Sequence, residues 1–232
     1  MQATESRTFV KHVSGAFKPA LLRELRIYMN TVWAEQQAKA QTEREHIVIK
    51  NGVASDALRI EPRWYDVWRT PTLPIRETLK LYTWVTFPPI VRIVREENHM
   101  VPWHQDIGYM RQLGAKGHSQ IITCFIPIDE EPSKHATIQF ARDDLPELEH
   151  IPTTGYRGVG LKDITFSQLE HYELELGDCL IFGELAAHRT FVPLNATLER
   201  RSLEFRLTQP KIALSNKDYF DIESGNFIHT NA

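Results

Sequence analysis

Trp103-His104-Gln105-Asp106 decides how this chain is read, because it sets an imidazole and a carboxylate two positions apart. On an extended strand side chains alternate between faces, so His104 and Asp106 are expected to point the same way. A distant imidazole, His188, completes a two-His-one-carboxylate set. Such a set occupies one face of an octahedral ion, leaves the remaining positions open and suits non-heme Fe(II). The tripeptide pattern alone is weak in a chain with 10 His, so the surrounding sequence must carry the reading.

Upstream, Pro89-Ile90-Val91-Arg92-Ile93-Val94-Arg95 alternates apolar and basic residues, the pattern of a half-buried strand. Downstream, Ile121 to Ile128 is an apolar, β-rich run ended by Asp129-Glu130-Glu131-Pro132, as in a buried strand stopped by a turn. Tyr172-Glu173-Leu174-Glu175-Leu176 alternates up to Gly177-Asp178, and Cys179-Leu180-Ile181-Phe182 resumes as an apolar strand, which predicts a hairpin-like corner. His188 lies at the far end of that second strand. Along Glu199 to Leu207, Arg200, Ser202, Glu204 and Arg206 share one face, and Arg201, Leu203 and Phe205 the other.

These elements, in this order, resemble the phytanoyl-CoA dioxygenase-like branch of the Fe(II)/2-oxoglutarate-dependent oxygenases. The resemblance rests on Trp103-His104-Gln105-Asp106, on Leu176 to Phe182, and on His188 followed by Asn195 and Arg200-Arg201-Ser202, and it covers roughly residues 85 to 210. It implies a mainly β (α+β) fold, a double-stranded β-helix or cupin-like jelly-roll barrel of eight core strands flanked by N-terminal helices. It implies Fe(II) held by His104, Asp106 and His188, with 2-oxoglutarate as cosubstrate and O2 as oxidant, yielding succinate and CO2. Related halogenases carry a small residue at the Asp106 position, so Asp106 implies hydroxylation or another oxidation. The far carboxylate of 2-oxoglutarate would be taken by Arg200 beside Ser202, or by Arg201 if the strand register shifts by one; arginine's planar fork suits a carboxylate. Thr123 and Gln139 fall on strands that line the cosubstrate pocket in the family. The segment Lys134 to Asp143 departs from the family's glycine-rich pattern, so no substrate is carried over.

Other residues have plainer readings. Arg206 is expected as a solvated strand charge, the alternative being a second anion contact. Arg63-Trp64-Tyr65-Asp66-Val67-Trp68-Arg69 combines aromatics with arginine; Trp64 and Trp68 are spaced for a buried helical face, while Arg63 and Trp64 also suit a lid over an anionic substrate. Tyr109 and Met110 are candidate pocket-wall residues. His99 and His118 read as surface residues, and His150 has no partner at ligand spacing. Cys124 and Cys179 sit in apolar runs as core thiols.

The length suits a single domain, 1–232, with an N-terminal strand and helices over 1–88 and the jelly roll over about 89–210. A strand is predicted at Thr8 to Val13, a helix from Pro19 to about Gln37, and a second helix over 75–87 ended by Pro88-Pro89. A net charge of −3 with scattered basic residues argues against nucleic-acid or membrane-surface binding. Two separated Cys fit a reducing compartment, and no apolar run approaches membrane-spanning length, so a cytoplasmic enzyme with a small-molecule substrate is expected. Oligomeric state is not legible. A jelly-roll metalloenzyme that does not use 2-oxoglutarate and a non-catalytic binding module are the competing classes.

Overall fold

The computed structural model describes residues 8–39, 62–86, 89–112, 121–152, 159–161, 165–210 and 218–229. Strand β1 (Val10–Val13) leads into the helix Pro19–Lys39, close to the predicted span. Proline opens that helix, where its missing N–H costs nothing. Leu22, Leu25, Met29, Val32 and Trp33 recur at helical spacing and are all buried, so one face of the helix closes over the core.

The predicted helix over 75–87 is shorter than expected. It spans Leu73–Leu79 and stops at Lys80, whose φ of 44° leaves the helical region. Trp84–Thr86 is instead strand β2, where aromatic and β-branched residues pair with the end of β11 (Arg200–Thr208). Tertiary pairing has overridden a locally helical pattern.

The remaining strands are β3 (Ile90–Val94), β4 (Ile122–Pro127), β5 (Thr137–Ala141), β6 (His150–Pro152), β7 (Val159–Leu161), β8 (Leu169–His171), β9 (Cys179–Gly183), β10 (His188–Phe191), β12 (Asp218–Asp221) and β13 (Phe227–His229). The larger sheet runs β1-β9-β4-β11-β2-β12-β13, with β3 also on β11; the smaller runs β10-β5-β8; β6 and β7 pair with each other. The jelly-roll expectation holds, and among the described residues the strands form two facing antiparallel sheets and not one hydrogen-bonded ring. Phe125, Leu180 and Phe182 of the larger sheet pack on Ile138 and Phe140 of the smaller. The other face of the larger sheet, with Cys124, Ile126, Cys179, Ile181, Leu203 and Phe205, packs against the helical layer.

Alternation within β11 positions the site. Leu203 and Phe205 face the helices, so Arg200, Ser202, Glu204 and Arg206 must face the space between the sheets. The predicted polar face exists, but it is interior.

Two sequence features have structural explanations. Leu176 to Phe182 is a corner between sheets and not a hairpin, because β8 pairs with β5 while β9 pairs with β1 and β4. Gly177 turns it at φ 114°, and a Cβ there would lie 2.9 Å from the Phe17 carbonyl oxygen. Asp178 accepts the N–H groups of Gly15 and Glu175 and pairs with His12, so it braces the corner. Asn195 has φ 67° on an exposed turn, a left-handed conformation that asparagine tolerates, which accounts for its place after His188.

Candidate metal and carboxylate site

His104 does not lie on a strand followed by Asp106 on the same strand face. It forms a single reciprocal bridge with His188, donating its N–H to the His188 carbonyl at 3.0 Å and accepting the return bond at 2.9 Å. Asp106 then begins the helix Asp106–Gln112. A turn, not strand alternation, brings the two side chains together. One ligand atom from each of His104, Asp106 and His188 lies within 4.8 Å of the others, so the three can converge on one ion.

Both imidazoles are oriented through the ring nitrogen that faces away from this point. His104 Nδ1 is 2.9 Å from the Pro102 carbonyl and His188 Nδ1 is 2.8 Å from the Ala186 carbonyl. A carbonyl can only accept, so each Nδ1 carries the proton and each Nε2 is left with a free lone pair. Burial pushes both imidazoles below their ordinary pKa, with the His188–His104 repulsion adding to the effect on His104. They are therefore neutral, as metal ligation requires. The His188 ring lies against Phe182 and Phe140, at centroid distances of 4.7 and 5.8 Å.

Asp106 is held at both oxygens. Thr123 donates its hydroxyl to Oδ2, and Arg206 Nη2 donates to Oδ1 at 2.8 Å. Burial by itself would raise this carboxyl, but Arg206, His188, His104 and the Thr123 hydroxyl together hold it at about 2. Each carboxylate oxygen carries one hydrogen bond and keeps a further lone pair that an ion can use. Thr123 thus orients the acid, where sequence reasoning gave it a cosubstrate contact. Arg206 is likewise corrected: it is a largely buried partner of Asp106, and its Nε and Nη1 have no hydrogen-bond acceptor.

The adjoining cavity, which opens to solvent, is lined by His104, Asp106, His188, Arg92, Arg200 and Arg206 among others. Arg200 is 2% exposed; it donates to the Thr137 carbonyl at 3.1 Å and lies over the Phe125 ring. Its Nε and the Ser202 Oγ are buried without partners. Burial lowers the Arg200 pKa to about 10, which leaves the guanidinium charged at neutral pH. Arg201, one residue on, faces the other way and pairs with Asp129 and Glu199 and with Asn30.

Sequence reasoning missed Arg92. Its alternation with apolar neighbours reads only as a basic position in a half-buried strand, yet it is 5% exposed and faces Glu204 across the cavity wall at 3.4 Å. It also missed Gln105 and His150, which contact the ligand turn. His99, expected at the surface, is buried and accepts the Arg95 N–H.

Other expected contacts are elsewhere. Gln139 occupies the strand face opposite Ile138 and Phe140, where it accepts from Arg189 at 2.7 and 3.0 Å, so it is no cavity contact. Trp64 is fully buried in the helix-side core against Tyr28, and Arg63 is exposed with its guanidinium over the Tyr28 ring. That segment is core, not lid. Met110 packs with Ile107, Ile121 and Leu185. The Tyr109 side chain and all of His118 lie outside the described residues.

No family model matches the sequence, and no curated protein does. Solved structures match by fold. A non-heme monooxygenase, ThoJ, superposes with a TM-score of 0.60 at 16% identity, covering 99% of this chain and 83% of its own. The epimerase SnoN, in complex with Fe3+, alpha ketoglutarate and nogalamycin RO, gives 0.54 at 15% identity over 92% and 82%. The alpha ketoglutarate-dependent carbocyclase SnoK from nogalamycin biosynthesis gives 0.50 at 12% identity over 94% and 86%. At these identities the likeness is one of fold, the double-stranded β-helix of such oxygenases.

Proposed function

We propose that this chain is a non-heme Fe(II)- and 2-oxoglutarate-dependent oxygenase. The observation that carries the reading is a juxtaposition. The convergent His104, Asp106 and His188 open onto a cavity lined by Arg200, whose Nε is buried without a partner, and Ser202, on the same face of β11, has a buried, unpartnered Oγ. Such atoms are costly unless a ligand satisfies them, and a carboxylate would do so for both. A neutral His pair and an ionised carboxylate fit Fe(II), and the fold likeness to ThoJ, SnoN and SnoK supports the same class.

When bound, iron and 2-oxoglutarate supply oxidative chemistry with O2, releasing succinate and CO2. The chain's own residues do the rest. His104 and His188 present Nε2, Asp106 presents its carboxylate, and Thr123 and Arg206 keep that carboxylate ionised and oriented. Arg200 and Ser202 anchor the far carboxylate of the cosubstrate through charge-assisted bonds. Arg206 offers two further donors beside the metal position. Phe140 and Phe182 pack against the His188 ring and shield that imidazole.

The substrate is a small polar or anionic metabolite or natural-product intermediate. The excess of arginine over carboxylate in the cavity supports this, as do the natural-product chemistries named for SnoN and SnoK. Hydroxylation is the favoured outcome. The test is anaerobic titration of the metal-free protein with Fe(II) and then 2-oxoglutarate, watching the visible charge-transfer band, with His104→Ala as control. A band in wild type alone supports the reading. Iron binding without a band overturns the cosubstrate assignment, and no iron binding overturns the metal site.

A further inference from the structure

Gln105 lies between two of the three proposed ligands and has no exposed surface. Its Nε2 donates to the carbonyls of Leu185 at 2.9 Å and Pro146 at 2.8 Å, and its Oε1 accepts the Leu148 N–H at 2.8 Å. Its own backbone N–H donates to His150 Nε2 at 3.0 Å. One side chain thereby ties the ligand turn to two other segments, one of which ends three residues before His188. Neighbouring bonds reinforce the connection: Ile107 N–H donates to the Glu184 carbonyl at 3.0 Å, and the His104–His188 bridge closes the opposite side. The fit to segment 146–150 is close, since a Cβ on Gly108 would lie 2.5 Å from the His150 ring.

We propose that Gln105 is a positioning residue that sets where His188 stands relative to His104 and Asp106. The inference rests on the metal reading of this site. The two parts of the ligand set come from segments far apart in sequence, joined by backbone bonds at Thr190–Val101, at the His104–His188 bridge and at Ile107–Glu184. Between the last two, the Gln105 amide adds a bond at the Leu185 carbonyl. The turn that leads into His188 is thereby held within its own span as well as at its ends. Without the amide, the buried Leu185 carbonyl and the partly buried Pro146 carbonyl and Leu148 N–H lose this partner, which favours movement of the 185–188 turn. Residues that orient metal ligands through such contacts change metal affinity by about 10–100-fold when replaced.

The test uses the full-length metal-free protein titrated with Co(II), reading both the dissociation constant and the d–d absorption band. Gln105→Met keeps the volume and removes every side-chain hydrogen bond; Gln105→Glu keeps the acceptor for Leu148 and loses both donors. Near-UV circular dichroism of each metal-free protein checks that it is folded, and whichever variant folds decides the outcome. The expected result is Co(II) affinity lowered about 10–100-fold with an altered band. A folded variant with wild-type affinity and an unchanged band overturns the proposal and leaves Gln105 a satisfied core residue. A wild type that gives no Co(II) band overturns the metal reading itself, and the positioning role with it.

Discussion

Arg200 and Arg201 are adjacent and chemically identical, and the pleat sends them to opposite fates. Arg200 enters the cavity with an unpartnered Nε, while Arg201 sits on the other face with Asp129, which is itself buried. Substitution separates them. Arg200→Ala should raise the 2-oxoglutarate concentration needed for binding, through loss of a charge-assisted clamp worth about 2–4 kcal/mol, or roughly 30- to 1,000-fold. Arg201→Ala should leave that requirement near wild type and lower the melting temperature, because it strips a partner from buried Asp129. Titration of each Fe(II)-loaded variant by charge-transfer absorbance, beside a thermal melt, reads both effects. A large shift in the cosubstrate requirement with Arg201→Ala alone would place the proposed carboxylate site on the wrong face.

At the scale of elements, β11 decides most of the architecture, since one side of it meets the helices and the other forms the cavity wall. The aromatic segment Trp64 to Trp68 anchors the helix side: Trp68 meets Phe17 and Phe205 edge-on, each at 5.3 Å, and Trp64 lies 5.0 Å from Tyr28. Trp64→Ala should therefore cost about 3–5 kcal/mol of stability, as large-to-small core changes do. Metal affinity measured below the melting transition should stay unchanged. Loss of Co(II) binding by a folded Trp64→Ala protein would return this segment to the site. The same strand shows what the sequence could and could not convey. Alternation in 199–207 correctly sorted Arg200, Ser202, Glu204 and Arg206 from Arg201, Leu203 and Phe205, because period two is a property of the backbone. It could not say that the polar face was interior, since a charged face beside water and one beside a ligand cavity have the same pattern. Arg206 therefore reads as a solvated strand charge, and Arg92 only as a basic position in a half-buried strand. Residues 84–86 were misjudged for a related reason: their strand character comes from partners in β11 and β12, which no local window contains. His188 was recognisable as a partner for His104 and Asp106, whereas Gln105 and His150 act through backbone groups that leave no sequence signature.

Considered as a whole molecule, the fold buries several titratable groups around one point, and that has a consequence for its acid stability. His104 and His188 are held below their ordinary pKa chiefly by burial, and so is the more accessible His150. An unfolded chain would bind protons at these imidazoles as the pH falls through about 6.5, while the folded chain would not. Each group thus contributes stability that is fully present above about 6.5 and is lost progressively as the pH drops below it. Asp106 has the same sign in a lower window, because its folded pKa of about 2 lies beneath the ordinary carboxylate value, so its contribution goes as the pH falls below about 4. The metal-free protein should accordingly lose stability in two stages, the first near pH 6 and the second in the carboxylate range. Urea unfolding at a series of pH values from 8 to 3.5 measures this directly. His150→Gln, which leaves the proposed ligands in place, should shallow the first stage without abolishing it, since His104 and His188 remain. A midpoint that stays level from pH 7.5 to 5 would mean that protons reach these rings in the folded state. The desolvation on which neutral ligation depends would then be wrong.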